Sequence, residues 1–488
     1  MKKNKLMEYN YMTNIKKYFI PVLSSIIIAS LNLQAQGDKG KFRERIDSMV
    51  ENIFQRFDDK LGTYIFRDEP KNDTELNDSL VEETTDIELL SDSKDYHQKS
   101  HGSTTFYAIS ADRGIVRNAF PTVPWEFLDD NFLFRYNRVE GLVLGLNYPQ
   151  RFYWSGHNIA LFGSGSYGFA VHRWRGGLGL AQQFGNGKNL FEVGIEGHSL
   201  TDTRDQWLVD IGENNLAAIF LRDDYRDYFG REGFSGWIGL YKRWLKSDLQ
   251  FQTAFLDDRY ESLERNTNWS VFGSHKIFRD NPEILEGRMK SILATLKYHS
   301  TESRKIFTTG WSLCASTEIA GGSLGGDFDF NSYIIDVRRY QPISDYDNLN
   351  IRLRAGSATG DVPLQKAFDL GGFNTIPAFR FKEFVGNRML LVNAEYVVNG
   401  KLFDNVEMVP SWLLRNVNII FFADAGYIAS AKSTDSFIKG FKDVSSKTIR
   451  SDWGIGIGTR DAKLRLGFAW RTDKSEPVKV FIRLNRPF

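Results

Sequence analysis

Two carboxylates in the second half of the chain stand on the polar side of alternating segments. Glu395 in LVNAEYVV shares its parity with Asn393, and Asp424 in NVNIIFFADAG shares its parity with Asn418. Because side chains alternate between the two faces of a strand, both carboxylates are predicted to point to one polar side of a sheet. Carboxylates in such a place require a cation, and an arginine would form a bidentate pair with either of them. The alternative is that both are ordinary hydrated charges.

The connection before Glu395 holds an arginine between two aromatic residues. It reads FDLGGFNTIPAFRFKEFVGN over residues 368–387, with Arg380 between Phe379 and Phe381. Gly371 and Gly372 permit a tight turn near its start. A long connection that carries an aromatic-flanked guanidinium is a candidate to supply the cation.

Other patterns that carry chemistry do not occur in the sequence. Seven histidines are scattered, and neither H-E-x-x-H nor C-x-x-C is present. GSGSYG at 163–168 spells G-x-S-x-G, but it lies inside a strand pattern, whereas a nucleophile elbow needs a strand-to-helix turn. The charged, tyrosine-rich stretch 223–233 is interpreted as an ordered loop cap in preference to a sugar or metal site. We therefore predict no enzyme activity, no metal and no cofactor.

Composition excludes further classes of protein. The formal net charge is +1, so no basic excess favours nucleic acid as a partner. The single cysteine, Cys314, rules out an intrachain disulfide and a cysteine zinc site. Downstream of residue 35, no apolar run reaches the roughly 18 residues of a membrane helix.

Alternation with a period of two dominates the chain from residue 132 onward. In KLRLGFAWR, residues 463–471, Leu464 and Leu466 share an apolar face while Arg465 lies on the other face. Sixteen such segments are predicted, and they are placed at 136–147, 158–168, 174–184, 189–198, 203–211, 233–243, 247–257, 289–299, 305–318, 330–340, 347–357, 387–398, 415–426, 450–459, 463–471 and 477–487.

Most of these segments have about ten residues, the length of a tilted membrane strand. Short links such as 300–305 alternate with long ones such as 358–386. The predicted fold class is all-β: a sixteen-stranded antiparallel transmembrane β-barrel with a short N-terminal helix and an acidic linker. The alternative, a soluble all-β sandwich, does not account for the alternating link lengths together with the features of the two chain ends.

The first 35 residues resemble an export signal. Lys16 and Lys17 precede a short apolar run at 19–31, and Ala35 stands at the predicted cleavage site. We therefore predict a cleavable signal peptide at 1–35 in a Gram-negative bacterium. Residues 36–131 are predicted to be periplasmic, with an amphipathic helix at 41–61, a flexible acidic linker and a lead-in to the barrel at 132–488. The helix is a candidate for binding a periplasmic partner.

The last residues continue the apolar alternation through Ile482, Leu484 and Phe488. This end resembles the terminal sorting signal of bacterial outer-membrane proteins, which the assembly machinery reads as an exposed strand edge. The resemblance implies an integral protein of the bacterial outer membrane. Its implied partners are outer-membrane lipid and the outer-membrane assembly machinery.

A more specific resemblance rests on Phe422, Asp424 and Gly426, which spell F-x-D-x-G. Together with NAEY at 393–396 and the connection 368–387, these residues resemble the BamA/TamA superfamily, the bacterial surface antigen barrel. The resemblance covers roughly residues 132–488 and implies sixteen strands. It also implies that the sixth outer loop folds into the lumen, where an arginine from its V-R-G-F/Y motif meets acidic residues of the wall.

The sequence departs from the superfamily at that motif. Pro377 and Ala378 stand where the motif has its arginine and its glycine. We therefore predict that Arg380 acts as the substitute and pairs in the lumen with Asp424, with Glu395 nearby. Residues 36–131 do not resemble the POTRA domains of translocating members, so a member without POTRA domains is expected.

The resemblance implies a role in translocating or inserting a protein, or a lipid, at the outer membrane. The alternative is a passive pore or a structural barrel. Ion conductance separates the two, because a loop docked in the lumen predicts a small or closed pore.

Overall fold

The computed structural model describes residues 132–153, 159–186, 188–272, 276–304, 307–400, 417–459 and 464–484. The predicted signal peptide, N-terminal helix, acidic linker and Phe488 lie outside these ranges. The described strands are β1 (Phe132–Asn137), β2 (Gly141–Tyr153), β3 (Ile159–Gly168), β4 (Arg173–Asn186), β5 (Asn189–Asp202), β6 (Phe229–Arg243), β7 (Asp248–Ser262), β8 (Gly287–His299), β9 (Glu302–Arg304), β10 (Phe307–Ala320), β11 (Phe330–Pro342), β12 (Asp347–Gly360), β13 (Phe368–Leu370), β14 (Phe384–Gly386), β15 (Arg388–Asn399), β16 (Val417–Ala429), β17 (Arg450–Thr459), β18 (Leu464–Arg471) and β19 (Lys479–Leu484).

A short helix, α1 (Ile211–Leu216), lies between β5 and β6. Asp210 caps it, because the carboxylate accepts the N–H of Gly212 at 2.8 Å. The helix passes into a π-helical turn that ends at Arg222 with a φ of 56°. Among the described residues, a 3₁₀ turn at Asp205–Trp207 precedes α1 in the same connection, and three more lie elsewhere at Gly322–Leu324, Leu364–Lys366 and Phe441–Asp443. No helix in the described ranges is long and apolar enough to cross a membrane.

Sixteen of the strands form one antiparallel sheet in which each pairs with the next along the chain. The order runs from β1 to β8, then through β10, β11 and β12, and then from β15 to β19. The short β9 pairs with the start of β10, and β13 pairs with β14 inside the connection between β12 and β15. The predicted all-β class and the sixteen antiparallel strands are therefore confirmed.

Two of the predicted strands are wrong. Segment 136–147 is divided by a turn between β1 and β2, because the side-chain oxygen of Asn137 accepts the N–H groups of Val139 and Glu140 at 3.0 and 2.7 Å. Segment 203–211 holds a 3₁₀ turn and the start of α1. The first segment holds parts of two strands and the second holds none, so the total is still sixteen. From the sixth strand onward, the predicted order agrees with the order in the sheet.

The two faces of the sheet are inverted relative to those of a soluble protein. On β18, Leu464 and Leu466 are 46% and 38% exposed, whereas Arg465 between them is 5% exposed. On β17, Ile457 is half exposed and Asp452 is buried. Apolar side chains therefore cover the outer face and charged ones the inner face, which confirms the face assignment made from the alternation.

The inner face is covered by two long connections. One joins β5 to β6 over residues 203–228, and the other joins β12 to β15 over residues 361–387. Residues of the second connection pack with the inner face of β15, β16 and β18 in one apolar cluster, which includes Leu370, Ile376, Ala378, Phe379, Leu391, Ile420, Phe422 and Ala469. This cluster is the part of the core that positions the candidate site.

Candidate functional site

A row of polar residues crosses three neighbouring strands on the inner face. Asn393 on β15 pairs in register with Asp424 on β16, which pairs with Asp452 on β17. All three are buried, and the Asn393 amide donates to Asp424 Oδ1 at 2.7 Å. Glu395 is buried on the same face two residues further along β15. Both carboxylates singled out in the sequence therefore point inward.

Phe422 and Gly426 flank Asp424 and form the surface on which the connection packs. Phe422 lies in the apolar cluster with Leu370 and Phe379. A Cβ atom at Gly426 would lie 2.5 Å from Leu370 Cδ2. The glycine therefore leaves the room that this leucine fills.

Gly371 and Gly372 set the course of the connection after β13. Their φ angles are 119° and 85°, in the left-handed region that favours glycine. A Cβ atom at Gly371 would lie 2.3 Å from the carbonyl oxygen of Arg380. Thr375 closes the turn, because its hydroxyl accepts the N–H of Gly371 at 3.0 Å and donates to the carbonyl of Gly372 at 2.9 Å.

The connection is held against the wall through its own backbone. The N–H of Ala378 donates to Asp452 Oδ2 at 2.7 Å, and the Asn393 amide donates to the carbonyl of Thr375 at 2.7 Å. The guanidinium of Arg471 lies 4.1 Å from the centroid of the Phe379 ring. The polar row thus binds peptide groups of the connection, where the superfamily motif would place an arginine.

The predicted pairing of Arg380 is not what the structure shows. The Arg380 side chain is exposed, and among the described residues it forms no ion pair with Asp424 or Glu395. Glu395 pairs with Arg465 instead, at 2.5 and 3.1 Å. The physical reason is the packing of Phe379, which turns inward at 3% exposed and leaves its neighbour Arg380 on the outer side of the connection.

Arg388, the first residue of β15, binds backbone groups and not these carboxylates. Its guanidinium donates to backbone carbonyls, including those of Lys439 at 2.9 Å and Ser436 at 3.0 Å. The alternation in residues 463–471 places Arg465 on the polar face, and this pattern identifies it as a candidate cation of the inner face. No local pattern in the sequence indicates that its side chain reaches Glu395.

The connection 203–228 and the connection 361–387 are interlocked by charged groups. Lys382 Nζ lies 2.6 Å from Asp205 Oδ2 and also contacts the carboxylate of Asp227. In a second ion pair the cation comes from the connection 203–228, because Arg204 pairs with Asp369 of the other connection at 2.6 Å. Each connection therefore contributes both a cation and an anion to the contact.

Aromatic rings add to this contact between the two connections. The Tyr225 ring lies 4.8 Å from that of Phe373 and 5.3 Å from that of Phe381. Phe381, one of the predicted loop residues, is therefore part of the contact. Trp207 connects the same region to the inner face of β12, because the guanidinium groups of Arg352 and Arg354 lie 5.3 and 4.1 Å from the centroid of its ring.

Burial and charge act against each other on Asp227, which lies in a connection. Burial alone raises the pKa of its carboxyl, but the Lys382 ammonium and the Arg279 guanidinium outweigh burial and lower the pKa to about 2. The carboxylate is therefore charged while the two connections are docked.

We expect acid to weaken the docking of the two connections through Asp227. Its folded pKa lies below the roughly 3.9 of an unfolded aspartate, so its stabilisation is present above about pH 4 and is lost as the pH falls towards 2. The loss should be about 2 kcal/mol. Thermal unfolding in detergent between pH 6 and pH 2.5 measures it. Asp227→Asn should flatten the pH dependence, and an unchanged curve in that variant would contradict the assignment.

In the described ranges, no group of three or more His, Cys, Asp or Glu side chains is placed to hold a metal ion. What the site offers instead is a set of carboxylates that bind peptide N–H groups and cations of the same chain. Such a set can hold the connections in the interior of the sheet.

Comparisons with known proteins find a family domain in the second half of the chain. The Omp85 superfamily domain matches residues 245–483. The outer membrane protein assembly factor BamA of Nitratidesulfovibrio vulgaris is 27% identical in an alignment of length 170, which covers 31% of this chain and 20% of that protein. The aligned part thus spans about a fifth of the length of that relative.

Solved structures with a similar arrangement have low sequence identity. BamA from Haemophilus ducreyi lacking POTRA domains 1–3 is 13% identical, with a TM-score of 0.45 over 79% of this chain and 80% of that chain. CdiB from Acinetobacter baumannii is 12% identical, with a TM-score of 0.34 over 70% of this chain and 55% of that chain. The match of residues 245–483 to the Omp85 superfamily domain confirms the resemblance drawn from the sequence, and the inward Phe422 and Asp424 agree with it.

Proposed function

We propose that the sixteen-stranded sheet closes into a β-barrel in the bacterial outer membrane and inserts or translocates a protein, or a lipid, there. The observation that carries the proposal is the inverted burial of the sheet, with leucines and isoleucines outside and charged residues inside, in a chain with an Omp85 domain. An apolar outer face suits lipid, and a charged inner face suits a polar interior.

The filled interior favours this role over a passive pore. The connections 203–228 and 361–387 meet in the interior through Lys382, Asp205 and Asp227. A passive pore needs an open path for solutes, whereas an insertion device needs a wall and a regulated interior. The expected conductance of the wild-type protein is therefore small.

Reconstitution into lipid vesicles tests the proposal. Vesicles that contain the protein should accelerate the folding of an added, urea-unfolded outer-membrane barrel relative to protein-free vesicles. Equal rates would refute the insertion role, and a large steady conductance would support the passive pore. Fractionation with outer membranes and a heat-dependent gel shift test the location separately.

The chain ends complete the proposal. Residues 1–35 would be the signal peptide, and 36–131 would be a periplasmic segment whose helix at 41–61 binds a partner. Phe488, Leu484 and Ile482 would form the signal for the outer-membrane assembly machinery. Ile482 is 62% exposed on the outer face of β19, which suits lipid contact.

Leu466→Arg should lower the free energy of unfolding in lipid vesicles by up to about 2–4 kcal/mol, because it places a charge on the outer face of β18, which faces lipid in the proposed barrel. Urea titration measures this. Ile438→Arg is the matched control, since Ile438 is also exposed but lies in the connection between β16 and β17. Equal losses in the two variants would contradict the membrane assignment of the outer face.

A further inference from the structure

The helix α1 carries three consecutive polar residues, and all three are buried. Glu213, Asn214 and Asn215 are 7%, 1% and 5% exposed. A helix of six residues gains little stability by itself, so such a group needs specific partners to be retained. The partners differ for each of the three residues.

Glu213 binds the last strand of the sheet. Its carboxylate accepts the Nε of Arg483 at 3.0 and 3.2 Å and the backbone N–H of Leu484 at 3.2 Å. The side chains of Glu213 and Arg483 are 7% and 9% exposed. A charge-assisted contact with this little water is stronger than a surface ion pair.

Asn215 binds the first strand of the sheet. Its side-chain oxygen accepts the backbone N–H of Tyr136 at 3.2 Å. The same connection also binds the residue that follows β1, because Arg138 donates to the carbonyls of Asp224 and Arg226 at 3.0 and 2.6 Å. β1 is therefore held to this connection at two successive points.

Asn214 fixes the helix within its own connection. Its amide donates to Asp224 Oδ1 at 2.9 Å, and its carbonyl oxygen accepts the N–H of Tyr225 at 2.8 Å. This central residue keeps α1 in place while its two neighbours reach outward to different strands. The helix thus spans the interval between β1 and β19.

These two strands are the ends of the sheet. Among the described residues, β1 pairs with β2 and β19 pairs with β18, with no second pairing for either. In the proposed barrel these two strands would meet at the seam, and wherever the seam is unpaired their edges present backbone N–H and C=O groups that another extended segment can bind. The N–H groups of Tyr136 and Leu484 are directed to α1 instead.

We propose that α1 is an internal cap on both terminal edges, with Glu213 on β19 and Asn215 on β1, so that an extended polypeptide joining either edge must first displace the helix. The identity of that polypeptide as an inserted client rests on the proposed function. The cap itself does not, because its contacts lie within this chain.

Hydrogen exchange of the full chain in detergent tests the cap. Glu213→Ala should raise the exchange of residues 479–484 about tenfold, and Asn215→Ala should do the same for residues 132–137, since each removes the acceptor of one edge. The two effects should stay on separate strands, and β6 and β7 should not change. Glu264→Ala, at an exposed glutamate of the connection 263–286, is the matched control and should change neither edge.

Equal increases on both edges from either single variant would mean that the connection merely unfolds, and would overturn the cap. Unchanged exchange at both edges would do so as well. Glu213→Gln keeps an acceptor oxygen and should give an intermediate increase, which provides a milder variant if the alanine variant does not fold.

Peptide binding gives a second, independent measurement. A fluorescein-labelled peptide with the sequence VKVFIRLNRPF, residues 478–488, serves as the incoming strand. Its affinity, measured by anisotropy, should rise at least fivefold in the Glu213→Ala/Asn215→Ala variant relative to wild type. Equal affinity would overturn the cap. Failure of the vesicle insertion assay would leave both results standing, so the two proposals fail separately.

Discussion

Arg465→Met should lower the free energy of unfolding by about 3–5 kcal/mol, because it leaves the carboxylate of Glu395 buried without its cation. The two groups are bonded at 2.5 and 3.1 Å, and each residue is 5% exposed. Water therefore cannot replace the lost guanidinium at little cost. Urea unfolding of the refolded protein in detergent measures the change.

The double variant Glu395→Gln/Arg465→Met distinguishes the effect of an unpaired buried charge from the effect of altered side-chain packing. Removing both charges should cost less than the sum of the two single changes, since no unpaired charge remains. Arg450→Met is the matched control, because the Arg450 side chain is 40% exposed and its Asp473 partner is 3.7 Å away. Surface pairs of this kind contribute about 0–1 kcal/mol. If Arg465→Met costs no more than Arg450→Met, the buried pair is not a stabilising contact.

The inward position of these residues follows from the sequence, but their pairing does not. Alternation is local, so Glu395, Asp424 and Arg465 could each be assigned to the inner face from their neighbours alone. Glu395 and Arg465 lie on β15 and β18, with two strands between them. Their contact depends on how the sheet curves, and no short segment of sequence carries that information.

The prediction for Arg380 was wrong because adjacent residues in the connection compete for the interior. Burying Phe379 places an aromatic ring against Arg471 and in the apolar cluster. That packing turns Arg380 outward, and the acceptors on the wall then bind peptide N–H groups. The glycines at 371 and 372 were predictable, because their role is a local turn with positive φ.

The prediction of a strand at 203–211, the start of the connection 203–228, also fails for a physical reason. Residues Trp207 to Val209 look like the apolar part of a strand, and α1 is too short to show a helical period. Its buried face is polar, with Glu213 to Asn215 satisfied by distant strands. Hydrophobic periodicity cannot reveal a six-residue helix whose buried side chains, apart from Ile211, are polar.

Lys382→Ala should open the interior and raise single-channel conductance severalfold. Lys382 joins the two connections, with its Nζ 2.6 Å from Asp205 Oδ2 and in contact with the carboxylate of Asp227. The Asp205 side chain is fully buried and that of Asp227 is 19% exposed. Without the ammonium, the buried carboxylate of Asp205 loses its cation and is repelled by Asp227, which keeps Arg138 and Arg279. The cost is about 3–5 kcal/mol, and separation of the connections relieves it.

Planar lipid bilayers measure this opening directly. Lys439→Ala is the matched control, since Lys439 forms an exposed i,i+4 pair with Asp435 in another connection and should leave conductance unchanged. Lys382→Met combined with Asp205→Asn and Asp227→Asn removes the repulsion as well, so the interior should stay closed more often than in Lys382→Ala. A Lys382→Ala protein that conducts like wild type would show that the ion pairs do not hold the connections in place. The aromatic contacts of Tyr225 with Phe373 and Phe381 would then be the contacts that keep the interior filled.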